Sequence, residues 1–152
     1  MKTKGMRINI TDEYVITLEM ILIDISKGMS YQWKIFYLDA IINNCKDKYS
    51  KIAEESKGAN GYIIDWSDLI FFSTCIDQLF FGIFIGSNSN DPIKLINPSK
   101  EMYEKYDYYI ETIDGGMWEI FTKDELFYNR LISKYKISEF LETDFEQHIY
   151  DD

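Results

Sequence analysis

The sequence predicts an α+β fold, a mainly antiparallel sheet with helices packed on it in a single domain over residues 1–152, and three stretches carry that prediction. Residues 106–123 set strand-favouring aromatic and β-branched residues on both sides of Asp-Gly-Gly, a turn able to supply positive φ, and so read as a hairpin. Residues 79–85 are apolar on both faces apart from Gly82, as a central strand buried on two sides would be. Residues 11–25 place Tyr14, Leu18, Ile21, Leu22 and Ile25 at helical spacing, a single stripe able to cover the sheet. A hairpin alone is not stable in water, so the other two must pack with it.

Taken in order, Met6, Ile8 and Ile10 alternate with Arg7 and Asn9 as a short first strand. Thr11 then offers an N-cap, with Asp12 and Glu13 favourable at the start of the helix that runs toward Lys27 and Gly28. Tyr31, Trp33 and Ile35 share one face of a second strand over 31–37, which breaks at Leu38 and Asp39. Residues 38–55 carry Ile41, Ile42, Cys45, Tyr49 and Ile52 near helical periodicity, and residues 56–61, with two Gly and an Asn, form a loop. Asp65, Ser67 and Asp68 are candidate caps for a short helix bearing Leu69, Phe71, Phe72 and Cys75. After the central strand come an exposed loop over 86–91, a short edge strand over 93–96, and a turn at Pro98 into a helix over 100–105. Beyond the hairpin, Thr122 or Asp124 caps a helix over 125–135. Residues 138–152 are either a final strand or a partly frayed acidic end.

Length and charge bound the function. A chain of 152 residues, 46% apolar and 28% charged, fills one globular domain and buries about two-thirds of its unfolded surface. The net charge of −10, from 16 basic and 26 acidic residues, argues against nucleic acid as a partner and favours a basic protein. The amino end has the charges of a signal peptide but no continuous apolar run, and residues 79–85 are about a third of a membrane span, so a cytoplasmic location without membrane contact is expected. In that compartment Cys45 and Cys75, thirty residues apart, are expected to be reduced.

Catalytic chemistry finds few parts. His148 is the single histidine, too few for a catalytic triad or a two-His metal site, and no Gly-rich phosphate loop or Cys-x-x-Cys pair occurs. Glu111 and Glu119 flank the hairpin turn and invite comparison with glycosidase carboxylate pairs. A two-residue turn at Gly115 and Gly116 sets Glu111 opposite Ile120, and one at Asp114 and Gly115 sets it opposite Trp118. Either register sends the two carboxylates to opposite faces. We therefore expect no enzyme, no cofactor and no metal.

The feature left over is a run of acids interleaved with apolar residues at the carboxyl end: Glu139, Glu142, Asp144, Phe145, Glu146 and Tyr150. Carboxylates steer a basic partner and aromatics anchor it. Asp65, Trp66 and Asp68 form a second, smaller combination of that kind. In residues 4–35, Lys4-Gly5, Ile10, Glu13-Tyr14, Leu18, Ile21-Leu22, Ile23-Asp24-Ile25 and Trp33-Lys34-Ile35 resemble a family of small proteins of Gram-positive bacteria with no assigned activity, as does the later order of strand, hairpin and Lys123-Asp124. In type, being small, acidic and without catalytic motifs, the chain resembles the immunity proteins of bacterial contact-dependent and polymorphic toxin systems. That resemblance implies a cognate basic, nuclease-like toxin whose active site the protein covers. The alternative is a non-catalytic regulatory or housekeeping domain of the first family.

Overall fold

The computed structural model describes residues 2–144. It is a single α+β domain built on a seven-stranded sheet of order β3-β2-β4-β5-β6-β1-β7, in which every neighbouring pair is antiparallel. The strands are β1 (Lys4–Asn9), β2 (Gln32–Ile42), β3 (Tyr62–Ile64), β4 (Ile76–Ser87), β5 (Tyr108–Ile113), β6 (Met117–Thr122) and β7 (Glu139–Leu141). The helices are α1 (Leu18–Leu22), α2 (Lys46–Ser56), α3 (Trp66–Cys75), α4 (Ser99–Lys105) and α5 (Glu125–Lys134), with a 3-10 turn at Gly28–Ser30. Among the described residues no helix is long and apolar enough to cross a membrane.

Alternation along the strands builds two cores. One face puts Met6, Ile8, Trp33, Ile35, Phe84, Tyr108, Ile110, Trp118 and Ile120 against Leu18 and Ile21 of α1, Leu69 and Phe72 of α3, and Phe127 and Leu131 of α5. The other puts Phe36, Ile83, Ile85, Tyr109 and Phe121 under Met102 and Tyr103 of α4 and under Ile93. β4 contributes to both cores, as the two-sided apolarity of residues 79–85 requires, and it lies beside the β5–β6 hairpin as expected. Each fully buried large side chain in these layers contributes roughly 1.5–3 kcal/mol.

Several elements follow their sequence signals closely. Asp65 caps α3 by accepting the Asp68 amide at 2.8 Å, and Asp124 caps α5 by accepting the Phe127 amide at 3.1 Å. Caps of this kind are worth about 1 kcal/mol. The Tyr108 phenol donates to the same Asp124 carboxylate, tying the start of α5 to β5.

Four elements depart from expectation, each for a local reason. Thr11 does not cap a helix over 11–25: it exchanges backbone bonds with Tyr14 at 3.0 and 3.2 Å, closing a turn, and Thr17 instead caps the five-residue α1 by accepting the Met20 amide. The apolar stripe of Leu18, Ile21, Leu22 and Ile25 is buried all the same. The second strand does not end at Leu38. A bulge between Phe36 and Asp39, with Tyr37 at a φ of 52°, absorbs the break and β2 runs on to Ile42, so α2 begins only at Lys46. Residues 93–96 are not a strand, because the Ile93 carbonyl accepts Lys34 Nζ at 2.7 Å and the backbone of Lys94 both donates to and accepts from the Tyr106 hydroxyl. The actual edge strand on that side of the sheet is β3, within a segment too short to show a pattern.

The cysteines also depart from expectation. Ile42 of β2 pairs with Ile76 of β4, and the Asn43 amide donates to the Cys75 carbonyl at 3.0 Å, so the start of α2 and the end of α3 meet. Cys45 and Cys75 are joined there as a disulfide with Cα atoms 6.2 Å apart. A separation of thirty residues in sequence hid a juxtaposition created by sheet pairing.

Aromatic packing fixes the 3-10 turn. The Trp33 indole N–H donates to the Gly28 carbonyl at 2.9 Å, Trp66 lies 5.2 Å from Trp33 between ring centroids, and a Cβ at Gly28 would fall 2.2 Å from the Trp66 ring. Gly28→Ala is therefore expected to lower stability by about 1–3 kcal/mol, read as a lower urea midpoint at unchanged slope. An unchanged midpoint would show that the Trp66 ring is not held against this backbone.

Candidate functional site

The hairpin turn determines where the candidate carboxylates lie. Asp114 and Gly115 both take positive φ, 53° and 64°, and the Gly116 amide donates to the Ile113 carbonyl at 2.9 Å. This is a tight turn with two left-handed central residues, followed by Gly116 as an extra residue. The Gly116 carbonyl accepts the Ile10 amide at 2.8 Å, which holds the extra residue in place. Ile113 thus pairs with Met117 across a three-residue loop, and Glu111 stands directly opposite Glu119. The expectation of opposite faces is overturned, since a loop of odd length shifts the register by one residue from either two-residue turn.

The pair belongs to a row running across the sheet, Ile83–Glu111–Glu119–Arg7–Glu139, one residue from each of β4, β5, β6, β1 and β7. Arg7 donates to Glu119 Oε1 through Nε at 3.2 Å and Nη2 at 2.9 Å, and to Glu139 through Nη1 at 3.0 Å. The Tyr109 phenol donates to Glu111 at 2.9 Å. Burial first, and the Glu111 carboxylate next to it, hold that phenol's pKa well above its ordinary value. Glu111 is 0% exposed and Glu119 1% exposed. A glycosidase pair needs room for a sugar between its carboxylates. Here both acids lie buried on the second core's face, and the Arg7 contacts tie β6 to β1 and, at the exposed Glu139, to β7.

Of the acidic carboxyl end, residues 139–144 are described, and its acids there are exposed. Of the residues singled out there, Glu139 begins β7, while Glu142 and Asp144 follow it and are exposed. Phe145, Glu146 and Tyr150 lie outside the described residues, as does His148. Phe140, facing Met6 across the strand pair, is 62% exposed. Glu142 sits near Tyr128 of α5 and helps burial raise that phenol's pKa, while Thr143 donates to Glu104 of α4 at 2.8 Å. β7 is the outermost strand on its side of the described sheet. Alternation along a β7 strand is the sequence signal that sets exposed Phe140 apart from Leu141, which is buried in the second core.

The Asp65, Trp66 and Asp68 corner is more structural. Asp65 is occupied as the cap of α3, Trp66 is half-buried against Trp33 and Gly28, and exposed Asp68 forms a long ion pair with Lys48 at 3.8 Å. These residues share a corner, but the aromatic one is committed to the first core. Among the described residues no group of three His, Cys, Asp or Glu side chains is placed to hold a metal ion. Comparisons with protein-family models, with curated proteins and with solved structures give no match to this chain.

Proposed function

We propose that the protein is an immunity-type binding protein that neutralises a cognate basic, nuclease-like bacterial toxin by covering its active site, with no catalytic step, cofactor or metal of its own. The observation that carries this reading is the β7 edge, where an exposed Phe140 stands among Glu139, Glu142 and Asp144 on a chain of net charge −10. Among the described residues β7 is the outermost strand on its side, and an outermost strand can pair with an extended partner segment. Carboxylates around such an edge raise the association rate with a basic surface, and a desolvated aromatic sets the dissociation rate. Nucleic acid and membrane do not suit a surface of this sign. Action on a toxin inside the producing cell implies a cytoplasmic location, where glutathione keeps cysteines as thiols, so the reading also requires the fold to stand without its disulfide.

The test uses the purified protein and the purified product of a toxin gene lying directly upstream of its own. The double reversal Glu142→Lys/Asp144→Lys is expected to slow association about tenfold at low salt and less at physiological salt, where charges are screened beyond about 8 Å. Phe140→Ala is expected to speed dissociation about tenfold or more. A complex whose two rates are untouched by these changes, with circular dichroism unaltered, would exclude the β7 edge. The absence of any complex would remove the immunity reading.

A further inference from the structure

A cleft of about 510 Å³ opens at the far end of the sheet from residues 142–144, between residues 10–18, the beginning of β4 and the turn of the β5–β6 hairpin. That volume lies within the range of about 300–1,000 Å³ that small-molecule sites occupy. Its walls are apolar where Val15, Leu18 and Leu79 stand, and Trp118 lines it with an indole fixed by donation to the Ile16 carbonyl at 2.9 Å. Among the described residues the polar lining includes Asp12 and Asp77, and no Lys, Arg or His.

Those two aspartates differ from the acids that hold the fold together. Glu119 and Asp24 are taken by Arg7 and Lys134, and Asp65 and Asp124 by helix amides. Asp12 and Asp77 are exposed and, among the described residues, enter no ion pair and no side-chain hydrogen bond. The frame around them is pinned by backbone bonds: Thr11 with Tyr14, Ile10 N–H to the Gly116 carbonyl, and Gly115 N–H to the Phe80 carbonyl at 2.9 Å. A site whose walls are already fixed loses little entropy on binding.

We propose that this cleft binds a small organic cation, an amine with an apolar body. The ammonium group would meet the carboxylate of Asp12 or Asp77 in a pocket lined, among the described residues, by no competing cation, while the apolar body would displace water from the Val15 and Leu79 walls above the buried Trp118. An anion of the same shape would face two carboxylates and be rejected. The proposal goes beyond the immunity reading and shares no residue with the β7 edge, so either can fail alone.

The probes are phenethylamine, tryptamine and cadaverine, with 3-phenylpropionate as the anionic counterpart of the first. Titrated into the intact protein by calorimetry, at least one amine is expected to bind 1:1 with a dissociation constant below about 10 mM, and phenylpropionate to show no saturable binding. Asp12→Asn/Asp77→Asn, two exposed positions, is expected to weaken amine binding about tenfold or more. Amide and indole NMR shifts in the wild-type protein should centre on Val15, Leu79 and Trp118. No saturable amine binding, equal binding of phenylpropionate, an affinity unchanged in the double variant, or shifts centred elsewhere would each overturn the proposal.

Discussion

Replacing Arg7 with Met is expected to lower the free energy of unfolding by about 3–5 kcal/mol, the range found when a buried ion pair loses one partner. Glu119 accepts two bonds from the Arg7 guanidinium through Oε1, while its Oε2 is buried without a hydrogen-bond partner among the described residues. Glu111, which accepts the Tyr109 phenol, stands opposite on the neighbouring strand. With Arg7 gone, the Glu119 carboxylate loses its guanidinium partner in a buried place, and its desolvation is left uncompensated. The Arg7–Glu139 contact contributes far less, since Glu139 is half in solvent and exposed pairs are worth about 0–1 kcal/mol. Arg7→Met combined with Glu119→Gln should recover a large part of the loss, because the amide no longer needs a countercharge, and the two changes should couple strongly in a double-mutant cycle. Urea unfolding at pH 7 followed by circular dichroism measures all three variants. A cost below about 1 kcal/mol for Arg7→Met would show that the row is not held by this ion pair.

That row also marks where the sequence stopped being readable. Strong one-dimensional patterns survived translation into structure: the two-sided apolar run became β4, the aromatic stretches around Asp-Gly-Gly became β5 and β6, and Asp65 and Asp124 capped α3 and α5. Two of the failures depended on one residue of phase. Gly116 as an extra loop residue moved Glu111 and Glu119 from opposite faces onto one, and the bulge at Tyr37 carried β2 through a segment whose spacing looked helical. Both are backbone events at a turn or a bulge, where local composition permits more than one conformation. Arg7 had no visible partner in the sequence because Glu119 lies 112 positions away and is reached only through the β1–β6 register. The acids and aromatics of residues 138–152 were visible as composition, but the exposure of Phe140 depended on strand parity along β7.

Reduction of the Cys45–Cys75 disulfide is expected to cost about 3–4 kcal/mol of stability while leaving the fold in place. The bridge closes a loop between positions thirty residues apart, and loop-closure entropy for that length gives this figure for the constraint removed from the unfolded chain. The native structure has independent reasons to keep these ends together. Ile42 pairs with Ile76, the Asn43 amide donates to the Cys75 carbonyl, and Ile52 of α2 and Leu69 and Phe72 of α3 are buried in the same core. Dithiothreitol should therefore lower the melting temperature by roughly 10 °C without changing the far-ultraviolet circular dichroism. Cys45→Ala/Cys75→Ala should melt near the reduced protein and be indifferent to dithiothreitol, which separates loss of the bridge from other effects of the reductant. Thiol titration of protein purified without reductant should find no free thiol in the folded state. Two titratable thiols in that protein, or a melting temperature indifferent to dithiothreitol, would remove the bridge from the account of stability. Loss of the folded circular dichroism spectrum on reduction would instead show that the bridge is required for the fold, and would count against action in a reducing cytoplasm.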